Sequence, residues 1–456
     1  MNSTFKYDIV PYTRGVGLEI SPGSEKMFPH FIKWDEEALK LIRPCSMDFI
    51  VFYGTDITLR VLEVVKQNGY IIIITKKSDE IESSLKQYLS ISTVEILYSD
   101  VLYLYVLQKT SKATNNLPRK SDKTCAVLRY GGIGDMMITS CIFPELKKQG
   151  YHVTLYTHTN SYEVVKHDPH IDRFILQDSG QVPINEFRDF CMHTKSKYDK
   201  FINLSESIEG TLLSLPDRVS YYWPKEIRHE LMSKSCYDIT AKISEVPKNL
   251  CGKFYYTDNE LIKVKKLISK LDGPIILWVL SGSSVHKFWP YQDQAIARIL
   301  IQYPTSTILL VGDISSKLLE QGWEKESRVK CLSGELSVRE TMTLCYIVDL
   351  IVTPETGIAL SVQFEDIPKI LLLSHSSKSN YSDEWINCIA VEPDDCKCYP
   401  CHKLHYGFEY CSIVELTDKS GESAKISECQ YQLSIDKVTN SINSVLERNF
   451  INVQRS

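Results

Sequence analysis

The stretch from Ala126 to Pro144, AVLRYGGIGDMMITSCIFP, constrains the fold of this chain more than any other. It opens with three apolar residues, Ala126 to Leu128, which are typical of a buried strand, and the apolar spacing from Met136 to Leu146 predicts a helix. The glycine-rich run from Gly131 to Gly134 lies between them and lets the backbone turn sharply and approach a ligand. A strand, a glycine turn and a helix start indicate an open α/β sheet that binds its ligand at the carboxyl ends of the strands.

Asp135 follows this turn and falls on the first turn of the predicted helix. A carboxylate there is favoured by the helix dipole and faces the crevice where open α/β sheets bind ligands. Two interpretations stand side by side: a reactive group in the crevice, or the capping acid of an ordinary strand-to-helix turn. The G-G-x-G-D spacing does not fit the dinucleotide-binding fingerprint.

The residues from Arg129 to Thr157 resemble the opening of the ADP-heptose:lipopolysaccharide heptosyltransferase family, in which GGIGD separates a strand from a helix with an early proline. Four later motifs stand in that family's order: SGSSVHKFWP at Ser281 to Pro290, LVGD at Leu310 to Asp313, SGELSVRET at Ser333 to Thr341, and VTPETG at Val352 to Gly357. The resemblance covers roughly Lys123 to Trp385. It implies α/β, GT-B architecture with two Rossmann-like domains facing a cleft.

Composition and length limit the class of protein. A chain of 456 residues suggests two to four domains, and 43% hydrophobic with 24% charged residues is ordinary for a globular protein. A net charge of -5 gives no general attraction to nucleic acid or anionic membranes. No apolar run approaches the ~20 residues needed to cross a bilayer, and Met1 to Pro11 lacks a signal-peptide core, so we expect a cytoplasmic protein without a transmembrane segment.

The chain is predicted to contain four segments. They are an N-terminal α/β domain at 1–112, a polar linker at 113–123, an acceptor-binding Rossmann-like domain at 124–265, and a donor-binding Rossmann-like domain at 266–456. The last includes a cysteine-rich element at 394–431. Two apolar runs, 94–98 and 102–107, are predicted strands, and the methyltransferase resemblance described next implies that they pair as the closing hairpin of that fold. The segment from Ser434 to Asn449 has its apolar residues on one face and predicts an amphipathic closing helix.

The N-terminal domain is similar to class I methyltransferases in one stretch. Gly15 to Ser24, with Trp34-Asp35 soon after, resembles their nucleotide-binding turn and ribose-binding acid. However, Ser21 and Ser24 stand where that family has glycines, and a Cβ at these positions obstructs the cofactor. The segment is also shorter than a complete methyltransferase. We therefore expect a truncated domain kept for packing or assembly, with no binding of S-adenosylmethionine.

The donor side of the cleft is assigned largely by the resemblance. It implies that Lys287 contacts the donor diphosphate, where a fixed ammonium stabilises the charge that gathers on the leaving group. The predicted donor-binding residues are Ser281, Gly282, Ser283, Lys287, Gly312, Glu355, Thr356 and Gly357. The chain departs from the family at Glu355, where aspartate is usual, and at Leu360, where histidine is usual.

The acceptor side is assigned to polar residues around the first predicted domain. Glu206 and Glu209 follow a predicted strand; they are suited to hydrogen-bond sugar hydroxyls, or else serve as the first-turn acids of a capped helix. His229 is a further candidate, with an ordinary surface histidine as the alternative. His375 is a candidate to contact either the acceptor or the donor. The predicted acceptor-binding residues are Gly132, Gly134, Glu206, Glu209, His229 and His375.

The chain has 14 cysteines, and five of them fall between Asp394 and Cys429. A C-x2-C hook followed by two cysteines at loop spacing is typical of a closed tetrahedral site with four thiolates. The predicted metal ligands are Cys398, Cys401, Cys411 and Cys429. Cys396 is an additional thiol, and His402 and His405 are alternative ligands. A structural zinc is expected, with iron also open because the insertion is similar in kind to the iron-binding element of autotransporter heptosyltransferases.

Together these features predict an inverting glycosyltransferase. By resemblance, Asp135 takes the proton of an acceptor hydroxyl while Lys287, Thr356 and Gly357 hold the diphosphate leaving group. No catalytic metal is expected, because lysine and helix N-termini supply positive charge and no Asp-x-Asp pair is present.

The predicted donor is a nucleoside-diphosphate sugar, an ADP-sugar by resemblance, that carries heptose or hexose. The acceptor hydroxyl is expected on a glycan or lipopolysaccharide, with protein side chains and modified DNA bases also open. The alternative to an enzyme is a non-catalytic GT-B-like protein that serves in binding or assembly. Either protein could form a homo-oligomer.

Overall fold

The computed structural model describes residues 3–20, 26–33, 38–54, 59–76, 91–99, 101–110, 117–119, 121–205, 224–232, 234–402, 411–417 and 420–448. Within these ranges, no helix is both long enough and apolar enough to span a membrane.

The strands are β1 (Gly17–Ile20), β2 (Ile32–Lys33), β3 (Met47–Tyr53), β4 (Val65–Thr75), β5 (Ser92–Ser99), β6 (Leu102–Gln108), β7 (Lys123–Leu128), β8 (Tyr151–Thr157), β9 (Arg173–Leu176), β10 (Lys200–Asn203), β11 (Ile275–Val279), β12 (Thr307–Val311), β13 (Val329–Cys331), β14 (Leu350–Pro354), β15 (Lys369–Leu372), β16 (Cys388–Val391), β17 (Ile413–Thr417) and β18 (Ser423–Ser427). The α-helices are α1 (Leu59–Val64), α2 (Ile133–Thr139), α3 (Phe143–Lys148), α4 (Thr159–Val165), α5 (Phe187–Lys195), α6 (Lys225–Met232), α7 (Cys236–Ser244), α8 (Asp258–Ile268), α9 (Gln292–Gln302), α10 (Val338–Leu344), α11 (Gly357–Leu360), α12 (Lys378–Tyr381), α13 (Glu428–Tyr431) and α14 (Ile435–Leu446).

The chain divides into two compact units. The first contains Met1–Leu128, Gly150–Thr159 and Ile171–Ile202, and the second contains Arg129–Gln149, Asn160–His170 and Asn203–Ser456. The domain boundaries predicted from the sequence remain predictions.

The first unit contains two sheets. One has the order β2-β1-β3-β4-β6-β5, in which β1 to β4 are parallel and the antiparallel pair β5–β6 confirms the predicted hairpin. The other has the order β10-β7-β8-β9. Residues near the N-terminus join the two sheets, because the Tyr12 hydroxyl donates to Glu95 of β5 and accepts from Arg173 of β9. Ser21 and Ser24 of the methyltransferase-like turn lie outside the described residues. So does Asp35, which resembles the ribose-binding acid of that family.

The second unit is built on a sheet of parallel strands in the order β13-β12-β11-β14-β15-β16. All five residues of β11 are buried, as expected for a parallel sheet covered on both faces. Helix α14 buries Val438, Ile442 and Val445 in the core on one side of this sheet. The predicted closing amphipathic helix is therefore present, and the strands end where the sequence placed the ligand-side loops.

The helical stretch after the glycine turn differs from the single run that apolar spacing suggested. It consists of α2, a 3-10 turn at Ser140–Ile142, and α3. Pro144 stands in the first turn of α3, where its missing N–H costs nothing, whereas in a continuous helix it would remove a hydrogen bond and clash with the preceding turn. The proline therefore divides the helix.

Candidate active site

A cavity of about 600 Å³ lies in the second unit, beside the carboxyl ends of β11, β12, β14 and β15. Every predicted donor-binding residue lines it, together with Asp135 and the predicted acceptor residues Gly132, Gly134 and His375. Its volume is that of a small-molecule site. The motifs from both halves of the resemblance are thus brought to one cavity.

Three predicted acceptor residues have side chains outside the part of the chain that the structure describes. Glu206 and Glu209 lie outside the described residues. His229 belongs to α6, but its side chain also lies outside what the structure describes.

The Asp135 carboxylate is held from two sides at the rim of the cavity. Its Oδ2 accepts the backbone N–H of Gly132 at 2.7 Å, and its Oδ1 lies 3.2 Å from Nη2 of Arg129. The Arg129 side chain is only 1% exposed, and its Nη1 donates to the carbonyl of Leu204 at 2.8 Å. Asp135 therefore has a fixed orientation and stays partly open to the cavity, with 18% of its side chain exposed.

Glycines make room for this carboxylate. A Cβ on Gly131 would lie 2.3 Å from Oδ2 of Asp135.

A Cβ on Gly134 would lie 3.1 Å from Cδ1 of Leu360 and 3.3 Å from Cα of Gly357. The start of α2 thus approaches α11 closely, and Leu360, where the resembled family has histidine, lines the cavity beside it.

Lys287 approaches the cavity from a 3-10 turn after β11. A Cβ on Gly282 would lie 2.6 Å from Cδ of Lys287 and 3.1 Å from Cγ2 of Thr356. Gly282 thus leaves room for the lysine stem to lie across its loop, beside the threonine that follows β14. The Thr356 hydroxyl lies 3.2 Å from that of Thr353, with either group able to donate.

Glu355 lines the cavity but directs its oxygens at the protein. Its Oε2 accepts the backbone N–H of Ser374 at 2.9 Å and that of His375 at 3.2 Å, and its Oε1 accepts the N–H of Ser376 at 3.1 Å. The Ser374 hydroxyl also donates to Oε2. The same oxygen lies 2.7 Å from Nδ1 of His375. Glu355 therefore holds the loop after β15 in place.

The charge on Glu355 is stabilised despite complete burial. Burial raises the pKa of this carboxyl, but His375, Lys287 and the Ser374 hydrogen bond outweigh it, so that the pKa lies well below its ordinary value. Glu355 is therefore an anion that Lys287 and the hydrogen bonds from the loop after β15 stabilise.

The His375 ring is packed on another side by His286, with ring centroids 4.5 Å apart. His286 is itself buried, and its Nδ1 lies 3.0 Å from the Ser284 hydroxyl. The carbonyl of His375 accepts the backbone N–H of His402 at 2.8 Å, which joins this loop to the cysteine-rich element.

Two thiols of the cysteine-rich element lie close to each other and to a carboxylate. Sγ of Cys396 lies 3.4 Å from Sγ of Cys398, and these atoms and a Glu428 oxygen all lie within 4.8 Å of one another. Burial raises the pKa of the Cys429 thiol, and the four other cysteines of the element raise it further. Burial and the bond to Cys398 likewise raise the pKa of Cys396 to about 12. A cation among these groups would stabilise their ionised forms.

Sequence reasoning did not identify several residues of the site. Arg129 precedes the glycine run, yet nothing local indicates that its side chain is buried against Asp135. His286 lies within the SGSSVHKFWP motif, but its position beside Lys287 gives no local sign that it packs against His375. Cys396 was treated as an additional thiol, although it lies closest to Cys398 and Glu428.

No protein-family model and no curated protein matches the chain. Among solved structures, the family 9 glycosyl transferase of Veillonella parvula DSM 2008 is similar, with 15% identity, a TM-score of 0.53, and coverage of 73% of this chain and 100% of that one. ADP-heptose lps heptosyltransferase II of E. coli has 14% identity and a TM-score of 0.48 over 71% of this chain and 99% of that one. TibC, an iron-containing dodecameric glycosyltransferase of enterotoxigenic E. coli H10407, has 12% identity and a TM-score of 0.44 over 73% and 78%.

At these identities the likeness concerns the fold, and the family 9 structure alone has a TM-score above 0.5 among the three. It agrees with the motifs that were read from the sequence. The chain shares the α/β, GT-B fold of that family 9 glycosyl transferase.

Proposed function

We propose that this protein is an inverting glycosyltransferase, which moves heptose or hexose from a nucleoside diphosphate to an acceptor hydroxyl. The observation that carries the proposal is that Asp135 and Lys287 line the same cavity, although they are far apart in the sequence. A carboxylate that can accept a proton and an ammonium that can stabilise a leaving phosphate are the two groups that such a displacement needs.

Asp135 is the proposed general base. The acceptor oxygen attacks the anomeric carbon from the face opposite the donor diphosphate, and its proton passes to a carboxylate oxygen of Asp135. The bond between the anomeric carbon and the phosphate oxygen breaks, and its electron pair stays on that oxygen. Arg129 and the Gly132 N–H hold the carboxylate in position for this transfer.

The leaving diphosphate is assigned to the loops that follow β11 and β14. Lys287 supplies a positive charge there, and the loop at Ser281 to Ser283 supplies backbone N–H groups with little side-chain bulk. The Thr356 hydroxyl is a further hydrogen-bond donor. These groups stabilise negative charge as it develops, so this proposal does not require a divalent cation for that purpose.

The donor and acceptor are proposed by class. The motif resemblance favours an ADP-sugar, with a glycan or lipopolysaccharide hydroxyl as acceptor. A protein side chain or a modified DNA base remains open as acceptor.

We also propose that the cysteine-rich element holds a structural zinc or iron ion. The grouping of the Cys396 and Cys398 thiols with Glu428 supports this, because soft thiolates are the usual ligands of both ions. The predicted set is Cys398, Cys401, Cys411 and Cys429, and the position of Cys396 makes it a competing ligand. When bound, the ion would stabilise the fold of the element.

The experiment that tests the proposal is incubation of the purified chain with a panel of nucleotide sugars, read by mass spectrometry. Hydrolysis or transfer of one sugar, with release of the nucleoside diphosphate, is the expected result. Binding of a nucleotide without any turnover would instead favour the non-catalytic binding or assembly protein.

A further inference from the structure

We propose that His375 binds the diphosphate of the donor, and that Glu355 is a positioning residue that fixes His375 for this contact. The inference rests on the proposed function and adds residues to its donor side. It also assigns to the donor side His375, which the sequence analysis grouped with the acceptor residues and left open between donor and acceptor.

The first argument is topological. Lys287 follows β11, Glu355 follows β14, and His375 follows β15. These three strands are neighbours in one parallel sheet, so their carboxyl ends bring the three side chains to the same edge. All three residues line the cavity, and His375 therefore shares the lysine's side of it.

The second argument concerns orientation. Glu355 accepts both the backbone N–H of His375 and its Nδ1, at 3.2 and 2.7 Å, and the His286 ring packs against the imidazole. Since Nδ1 faces Glu355, the Nε2 edge of the ring lies on the side away from that carboxylate. The oxygens of Glu355 are bonded to His375 and its neighbours, so Glu355 fixes the ring without having to contact a ligand itself.

The third argument concerns charge. A buried carboxylate beside an anion site would repel a diphosphate unless neighbouring cations balanced it. Lys287 supplies such a charge, and hydrogen bonds from the backbone N–H groups of Ser374, His375 and Ser376 also stabilise the Glu355 carboxylate. A diphosphate would accept hydrogen bonds from His375 and Lys287, and hydrogen bonds to a charged acceptor are the stronger ones in proteins.

The test compares binding of a nucleoside diphosphate and of its monophosphate by isothermal titration calorimetry, with the full-length chain. The wild type is first titrated with ADP, UDP, GDP and CDP, and the diphosphate that binds is carried forward with its monophosphate. The variants are His375→Gln, Glu355→Gln and the double variant, and His158→Gln of the first unit is the matched control. Thermal unfolding checks that each variant is folded.

We expect His375→Gln to weaken diphosphate binding by about tenfold, the effect of one charge-assisted hydrogen bond, and to change monophosphate binding much less. The double variant should remain weak, since removing the Glu355 charge does not restore a lost phosphate contact. His158→Gln should bind like the wild type.

Three results would count against the inference. Diphosphate binding by His375→Gln within twofold of the wild type would overturn it. So would a double variant that recovers wild-type affinity, because His375 would then serve only to neutralise Glu355. A wild type that binds none of the four diphosphates would instead contradict the proposed function itself, and the inference with it.

Discussion

Gly134 and Gly357 are in close backbone contact: a Cβ built on Gly357 would lie 2.5 Å from the amide nitrogen of Gly134. It would also lie 2.4 Å from Cγ1 of Ile133. The contact joins the start of the helix that carries Asp135 to the turn that carries Thr356. The glycine of the VTPETG motif is therefore needed for packing, whether or not its N–H binds phosphate.

We accordingly predict that Gly357→Ala destabilises the protein by about 1–3 kcal/mol, the usual cost of overpacking. Urea unfolding measures the change. Gly421→Asn is the control, because Gly421 has positive φ, which asparagine tolerates, and a Cβ there meets no atom within 4 Å. Equal stability of Gly357→Ala and the wild type would show that the two turns separate easily.

Metal content provides a second prediction. Elemental analysis of the purified chain should find zinc or iron near one ion per chain, and Cys429→Ser should lose most of it, since Cys429 is buried among the other thiols. The control is Cys45→Ser, which changes an exposed cysteine of the first unit and should keep the metal. The proposed ion is ruled out if the wild type contains neither metal.

The ion pair between Glu260 and Arg339 gives a pH prediction. Nη2 of Arg339 donates to Glu260 at 2.9 Å, and the hydrogen bonding of Arg339 lowers the pKa of Glu260 from 4.5 to about 2. Because the folded-state pKa is below the unfolded one, the pair stabilises the protein above about pH 4.5, and this contribution disappears as the pH falls toward 2.

Glu260→Gln should therefore be less stable than the wild type in urea unfolding at about pH 7, and the difference should shrink at about pH 3. Glu335→Gln, which removes an exposed pair with Lys317, should have little effect at neutral pH. A Glu260→Gln deficit that is independent of pH would mean that packing, and not charge, is lost.

Local pattern predicted the secondary structure of the second unit well. Apolar sequence runs correspond to two of its buried parallel strands: TILLV to β12 (Thr307–Val311) and IILWV to β11 (Ile275–Val279). Continuous apolar runs between turn residues are a strong signal for buried parallel strands, because both faces of such a sheet are covered.

The roles of polar residues were harder to predict, because they depend on contacts that are distant in sequence. Arg129 reaches Leu204, and Glu355 accepts hydrogen bonds from residues 374–376. Neither spacing follows from a helix or strand period. Sequence reasoning therefore named Glu355 as a donor contact, whereas the geometry gives its oxygens to the protein loop.

The measurement that tests the central claim most directly is a comparison of turnover and donor binding for Asp135→Asn. Asparagine keeps an oxygen for the Gly132 N–H but cannot serve as the base. We predict that turnover of the active nucleotide sugar falls by at least about a hundredfold, while calorimetric affinity for the nucleoside diphosphate changes less than about twofold. Turnover close to that of the wild type, or loss of donor binding in a folded variant, would contradict the assignment of Asp135 as the base of a sugar transfer.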